Sequence, residues 1–256
     1  MKIIFDKRFY ESDYANDAND GAAVPGRLEA IMSVIETQSD FAVVTPQPAS
    51  DDDILRAHSQ AYLDTVRVNT KRYDMAILAA GAAIAAAEHG MNGTPAFACA
   101  RPPGHHAARD SSWGFCVFGN MAIALLRLRA AGRINSAFIL DFDAHTGDGT
   151  KALLADWKGC RILNPYAETA KLYLEEIENT IRDVGSVDIV AVCAGFDSYE
   201  KDLGRRLSTD DFYTIGWIMK KFAHRAANGR RFAVLEGGYY LPDLGKNVLT
   251  FCRGFR

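Results

Sequence analysis

Residues 188–193, DIVAVC, form a short run that is apolar at almost every position. That is the pattern of a strand buried on both faces, not of one with a wet side. Such a strand needs a covering layer above and below, and the rest of the chain supplies the material. Short β-branched or aromatic runs at residues 2–5, 41–44, 96–99, 137–142, 161–163 and 232–235 read as further strands. Helical patterns lie between them at residues 26–36, 51–66 (open to a break), 74–89, 120–131, 168–184 and 209–227. Gly90, Gly132, Gly185 and Gly229 stand where helices should stop. Ser208, and Ser50 with Asp53 three residues on, stand where they should start. Alternating strands and helices imply right-handed crossovers. The expectation is one α/β domain over residues 1–256: a mainly parallel multi-stranded sheet with helices on both faces. No linker, repeat or low-complexity tract argues for a second domain.

Bulk properties narrow the function classes. A net charge of −3 leaves no basic footprint for nucleic acid. No run approaches the ~20 apolar residues of a membrane span. Residues 1–5 lead straight into Asp6 without a signal peptide's apolar region and cleavage site. The five cysteines are widely spaced, odd in number and free of any CxxC pair, so neither a disulfide framework nor a thiolate zinc cluster is expected. A cytoplasmic location is the expectation.

In parallel sheets, ligands collect beyond the carboxyl ends of strands. Three predicted strands here end in polar residues: DFDAH after Leu140, AGFD after Cys193, and EGGYY after Leu235. The loop after Cys99 adds RPPGHH. On an extended chain Asp143 and His145 address one point, and a carboxylate with an imidazole suits a borderline divalent ion. The bland alternative, a turn with solvated acids, is about as good for that motif alone. Asp197 is either a turn cap or a third ligand; as a ligand it leaves a fourth position free for water, as a catalytic zinc requires. His105 and His106 suit proton transfer beside a metal, with Asp141 and Asp148 available to orient them. Otherwise a tandem histidine is a surface pair. Gly237 and Gly238 let the backbone approach a ligand and present Tyr239, a phenol able to donate to an oxyanion. In Trp113-Gly114-Phe115-Cys116, Phe115 either walls an apolar slot or belongs to the core.

RPPGHHA, GFC, DFDAHTGDGT, AGFD and EGGYY together resemble the histone deacetylase and acetylpolyamine amidohydrolase family, in its motif order and at plausible separations. Weaker similarity extends to Pro25-Gly26-Arg27-Leu28, to Ala57-His58-Ser59 with Tyr62-Leu63, and to residues 247–251. The resemblance implies an arginase–deacetylase fold and a zinc-dependent amidohydrolase acting on acetyl-lysine, acetylpolyamines or another small acylated amine, with Fe²⁺ or Mn²⁺ as alternative metals. It implies metal ligation by Asp143, His145 and Asp197. It makes His105 and His106 the proton-transfer pair, backed by Asp141 and Asp148, and Tyr239 the oxyanion donor. Gly114 would offer its carbonyl to the substrate amide and Phe115 would line the channel. A structural K⁺ is implied at Asp141 and the carbonyls of Asp143 and His145.

Three features depart from the family pattern. Thr146 replaces a second histidine. The segment after Leu163 lacks the loop that carries a second aromatic wall, with Tyr166 the only substitute in view. Residues 70–74 are short where a rim loop with a substrate-binding acid is usual, so a low, wide rim is expected. Two rival readings are weaker. A dinuclear-manganese ureohydrolase needs acids where Gly147 and Tyr199 stand. A non-catalytic acetyl-lysine-binding module would not need the histidine pair and Tyr239 that are present.

Overall fold

The computed structural model describes residues 1–15 and 20–256. Among the described residues seven strands make one sheet: β1 (Lys2–Ile4), β2 (Ala42–Val44), β3 (Ala96–Ala98), β4 (Ala137–Asp141), β5 (Cys160–Leu163), β6 (Ile189–Ala194) and β7 (Arg231–Leu235). Their order is β2-β1-β3-β7-β6-β4-β5, and every pairing is parallel. Each expected strand is present to within a residue at either end. All residues of β3, β4, β6 and β7 are buried. Alternate side chains of a strand point to opposite faces, so both faces of the central sheet are covered.

The helices are α1 (Arg27–Ile35), α2 (Asp51–Ile54), α3 (Gln60–Arg67), α4 (Thr70–Met91), α5 (Asn120–Ala130), α6 (Asp148–Leu153), α7 (Ala170–Arg182), α8 (Thr209–Ala226) and α9 (Leu241–Phe255). Helix α4 lies along β1, β3 and β7 with α5 beside it; α8 packs on β6 beside α7 and α9, and α1 packs on α9. Ser50–Asp53 and Ser208–Asp211 form capping boxes at α2 and α8. All five cysteines are free.

The break to which the 51–66 pattern is open is present, because Ser59 caps a new start by accepting the N–H of Tyr62. Two sequence expectations need correction. Asn69 caps α4 through the N–H of Arg72, so residues 70–74 are the first turn of that helix and not a loop. Helix α9 was not expected, since Pro242, Gly245 and Gly254 weaken its pattern. The glycines are there for contact: a Cβ on Gly245 would lie 2.0 Å from the carbonyl oxygen of Ala30 in α1.

The order of the central strands decides where the site sits. β3, β7, β6 and β4 are successive neighbours, so the loops that leave their carboxyl ends meet over one end of the sheet. Those loops carry RPPGHH, EGGYY, AGFD and DFDAH.

Candidate active site

Asp141 is the last residue of β4 and pairs with Cys193. Beyond it the chain bends at residues 143–145 instead of running on extended. The two-residue alternation expected for Asp143 and His145 is therefore not what joins them; Asp143 Oδ1 accepts the backbone N–H of His145 at 3.0 Å, which folds the loop back on itself. Asp197 sits in the short 3-10 turn Phe196–Ser198 after β6, and its Oδ1 accepts the N–H of Ala144 at 2.9 Å. As a result His145 Nδ1 lies 3.1 Å from Asp143 Oδ1 and 3.0 Å from Asp197 Oδ2. Asp143 Oδ2 in turn accepts the N–H of Gly237 at 2.9 Å. The carboxylates come this close only because glycines flank them. A Cβ on Gly195 would stand 2.1 Å from Asp143 Oδ2, and one on Gly237 2.7 Å from the same atom.

The donor set fits a divalent cation. One ligand atom from each of Asp143, His145 and Asp197 lies within 4.8 Å of the others. Asp197 Oδ2 is buried and, despite its contact with His145, lacks a hydrogen bond of acceptable geometry. Burial and the charge of Asp143 push the Asp197 carboxyl up to about 7. Burial also opposes ionisation of Asp143, but the charge of His105 and the hydrogen bonds from His145 and Gly237 outweigh it and hold that carboxyl below its usual range. The hydrogen bond to Asp143 and the nearby carboxylate of Asp197 raise His145 to about 10. Two buried carboxylates pressed together around an imidazole are relieved by a positive charge, and two oxygens with one nitrogen are donors that zinc, iron(II) and manganese all accept.

The histidine loop is fixed by Glu236, the first residue after β7. Its Oε2 accepts the N–H groups of Gly104 (2.8 Å) and His105 (3.1 Å). His105 Nδ1 lies 3.2 Å from Asp141 Oδ2, and His106 Nδ1 lies 2.7 Å from Asp148 Oδ1. With Nδ1 engaged in each ring, Nε2 is the nitrogen left for proton exchange. Burial disfavours the charged form of His105, yet the carboxylates of Asp143 and Asp141 raise it well above the usual range. Burial and the charge on His105 lower His106, against the pull of Asp148.

A cavity of about 220 Å³ opens above these groups, bounded by His105, His106, Trp113, Gly114, Phe115, His145, Leu203 and Tyr239 among others. The Phe115 and Tyr239 rings meet edge to face with centroids 5.7 Å apart. Burial raises the Tyr239 phenol well above its usual range, so it stays protonated. The ten candidate catalytic, metal-binding and substrate-binding residues, His105, His106, Gly114, Phe115, Asp141, Asp143, His145, Asp148, Asp197 and Tyr239, thus lie at this end of the sheet. Tyr166 does not serve the cavity: it is 82% exposed and does not line it. Tyr199 is turned to Asp243, whose Oδ2 accepts its hydroxyl at 2.8 Å, so it offers nothing to a second metal.

Three residues of the site stand in motifs that the sequence shows, but their roles are not legible there. Glu236 could have been suspected as the one acid between a buried strand and paired glycines. Arg27 donates to the carbonyls of Gly238 (2.8 Å) and Glu236 (2.5 Å) and lies 5.5 Å from the centre of the Tyr239 ring, contacts made from some 210 residues away that no local pattern announces. Trp113 stacks on His106. Its place before GFC was seen, but not its role.

Comparison with known proteins bears on the family and the fold. A family model for the histone deacetylase domain matches residues 22–185. A probable deacetylase of Methanothermobacter thermautotrophicus is 29% identical, over 90% of this chain and 84% of that protein. A histone deacetylase-like amidohydrolase of Pseudomonas aeruginosa is 27% identical, over 90% of this chain and 75% of its own length. The crystal structure of the HDA15 HD domain superposes with a TM-score of 0.86 at 21% identity, covering 99% of this chain and 88% of that one; at that identity it speaks for the fold. No helix among the described residues is long and apolar enough to cross a membrane.

Proposed function

The chain belongs to the histone deacetylase family, and on that footing we propose that it is a metal-dependent amidohydrolase that removes acetyl or related acyl groups from amines. The observation that carries the reading is convergence. The Asp143–His145–Asp197 cluster, two histidine–aspartate pairs and Tyr239 share one apolar-walled cavity.

Asp143, His145 and Asp197 would hold the ion, with zinc the first candidate. When bound, such an ion polarises the acyl carbonyl and brings the pKa of a water down to about 7. His106, the imidazole whose surroundings favour the neutral form, takes the proton from the attacking water at Nε2. The Tyr239 hydroxyl donates to the oxygen that gains charge as the carbonyl carbon becomes tetrahedral. His105, hydrogen-bonded to Asp141, is the second proton carrier, and a protonated histidine releases the amine. Gly114 and Phe115 hold the substrate amide and its chain. A K⁺ at Asp141 is part of the same reading: both Asp141 carboxylate oxygens are already hydrogen-bonded, while the carbonyls of Asp143 and His145 accept no hydrogen bond among the described residues. We take the physiological substrates to be acetylated lysine side chains or small acetylated amines, handled in the cytoplasm.

The test is metal analysis combined with a panel of acetyl-lysine peptides and acetylpolyamines. Asp197→Ala should lose the ion and at least about 10³-fold in rate. Tyr239→Phe should keep the ion and lose about 10²–10³-fold. A metal-free wild-type protein, two ions per chain, or a Tyr239→Phe variant near wild-type rate would each defeat the proposal.

A further inference from the structure

Of the two aspartates behind the histidine pair, Asp148 is the vulnerable one. It is the first residue of α6, and 54% of its side chain is exposed. A carboxylate so exposed gains little from one ionic contact, and water competes for both its oxygens. In this chain both oxygens are taken. Oδ1 faces His106 Nδ1, and Oδ2 accepts the indole Nε1–H of Trp113 at 2.8 Å. The same indole lies against the His106 ring, with centroids 3.6 Å apart and planes 29° apart. Trp113 therefore fixes the dyad twice: through the carboxylate that orients the imidazole, and through a face of the imidazole itself.

Trp113 also shapes the entrance. It is 53% exposed and bounds the cavity together with Phe115 and the exposed Leu203. The aromatic surface that residues 164–168 fail to supply comes from the histidine loop instead. A flat indole beside a phenylalanine makes an entrance suited to an aliphatic chain, whose methylene groups leave water as they enter.

We propose that Trp113 is a positioning and specificity-determining residue: its N–H holds Asp148 against His106, and its ring forms the second aromatic wall of the acyl-amine channel. This rests on the deacylase reading of the same site. Two variants separate the two roles. Trp113→Phe keeps a ring but loses the N–H; kcat should fall about fivefold with KM within about twofold. Trp113→Ala loses the wall as well, and KM for an aliphatic acylated amine should rise about tenfold. If the indole acts through Asp148, the Phe substitution should lower kcat no further in an Asp148→Ala background. An unchanged kcat in Trp113→Phe, the same fivefold loss with and without Asp148, or an unchanged KM in Trp113→Ala would overturn the proposal.

One readout does not need turnover. The chain has three tryptophans, so the indole resonance missing from the ¹⁵N spectrum of Trp113→Phe identifies the Trp113 signal. That signal should shift in Asp148→Ala, and one that stays in place denies the contact. If the wild-type protein hydrolyses no acylated amine, the deacylase reading falls, while the spectrum still decides whether Trp113 holds Asp148.

Discussion

His105 and His106 are adjacent in the chain, and each turns Nδ1 to an aspartate, yet they occupy opposite environments. His105 and Asp141 are both almost wholly buried, and Asp143 Oδ1 stands 3.8 Å from the remaining ring nitrogen. His106 is also buried, but its partner Asp148 is half in water. The outcome is a divided pair, one imidazole driven towards the charged form and its neighbour towards the neutral one. Burial alone cannot produce that division, because it pushes both rings the same way. What separates them is how many carboxylates face each ring, how much water those carboxylates keep, and the charge on His105, which disfavours a second charge on His106. Two imidazoles with opposite proton affinities then stand side by side without a change of residue type.

The largest test of that contrast is Asp141→Asn. It strips the buried imidazole of its bonded carboxylate and leaves the remaining charge poorly compensated. The expected loss is about 3–5 kcal/mol in a urea unfolding experiment, as for other broken buried pairs, and at least about 10³-fold in rate, the scale seen when an orienting aspartate is replaced in a catalytic triad. Asp148→Asn is the milder counterpart. Its carboxylate is half solvated, so stability should stay within about 1 kcal/mol while the rate drops about 10–10²-fold through loss of the oriented base. A greater loss from Asp148→Asn than from Asp141→Asn would reverse the ranking of the two pairs.

The contrast also marks where sequence reading succeeds. Strands such as β4 and β6 are legible because burial on both faces demands an unbroken apolar run, and the order of those runs fixes a parallel sheet. The loop residues at their ends were legible because DFDAH, AGFD and EGGYY put ligand-type side chains where such sheets bind ligands. What stayed hidden depends on contacts between distant segments. Glu236 gripping the backbone of Gly104 and His105, Arg27 reaching Gly238, and Trp113 lying on His106 leave no periodic trace. Helix α9 was hidden for a related reason: Gly245 looks like a breaker until α1 is seen pressed against it. The reading of residues 70–74 as a loop failed because Asn69 caps the helix four residues earlier than the apolar pattern begins.

A third histidine sharpens the contrast further. His58 is 1% exposed, as buried as His105, and its Nε2 accepts the N–H of Gly119 at 2.9 Å between the rings of Tyr62 and Phe118. Among the described residues no carboxylate is hydrogen-bonded to it, and burial lowers its pKa to about 4, with the backbone at Ala108 and Arg109 and the more distant charge of Asp110 recovering only part of the loss. If carboxylates and not burial set the state of His105, then His58 must behave in the opposite sense. Between pH 6.5 and 4 the unfolded chain binds a proton at this position that the folded chain refuses, so His58 costs stability increasingly as pH falls through that window and nothing above it. At pH 5.5, one unit below the unfolded value, the cost is about 1.4 kcal/mol. His58→Asn keeps an acceptor for Gly119 and removes the titration. Urea unfolding of the two proteins from pH 7.5 to 4.5 should show the wild type losing ground to the variant only below pH 6.5. A stability difference that stays constant across that range would mean that His58 does not titrate as a bare buried imidazole, and that carboxylates are not what sets the charge of these rings apart.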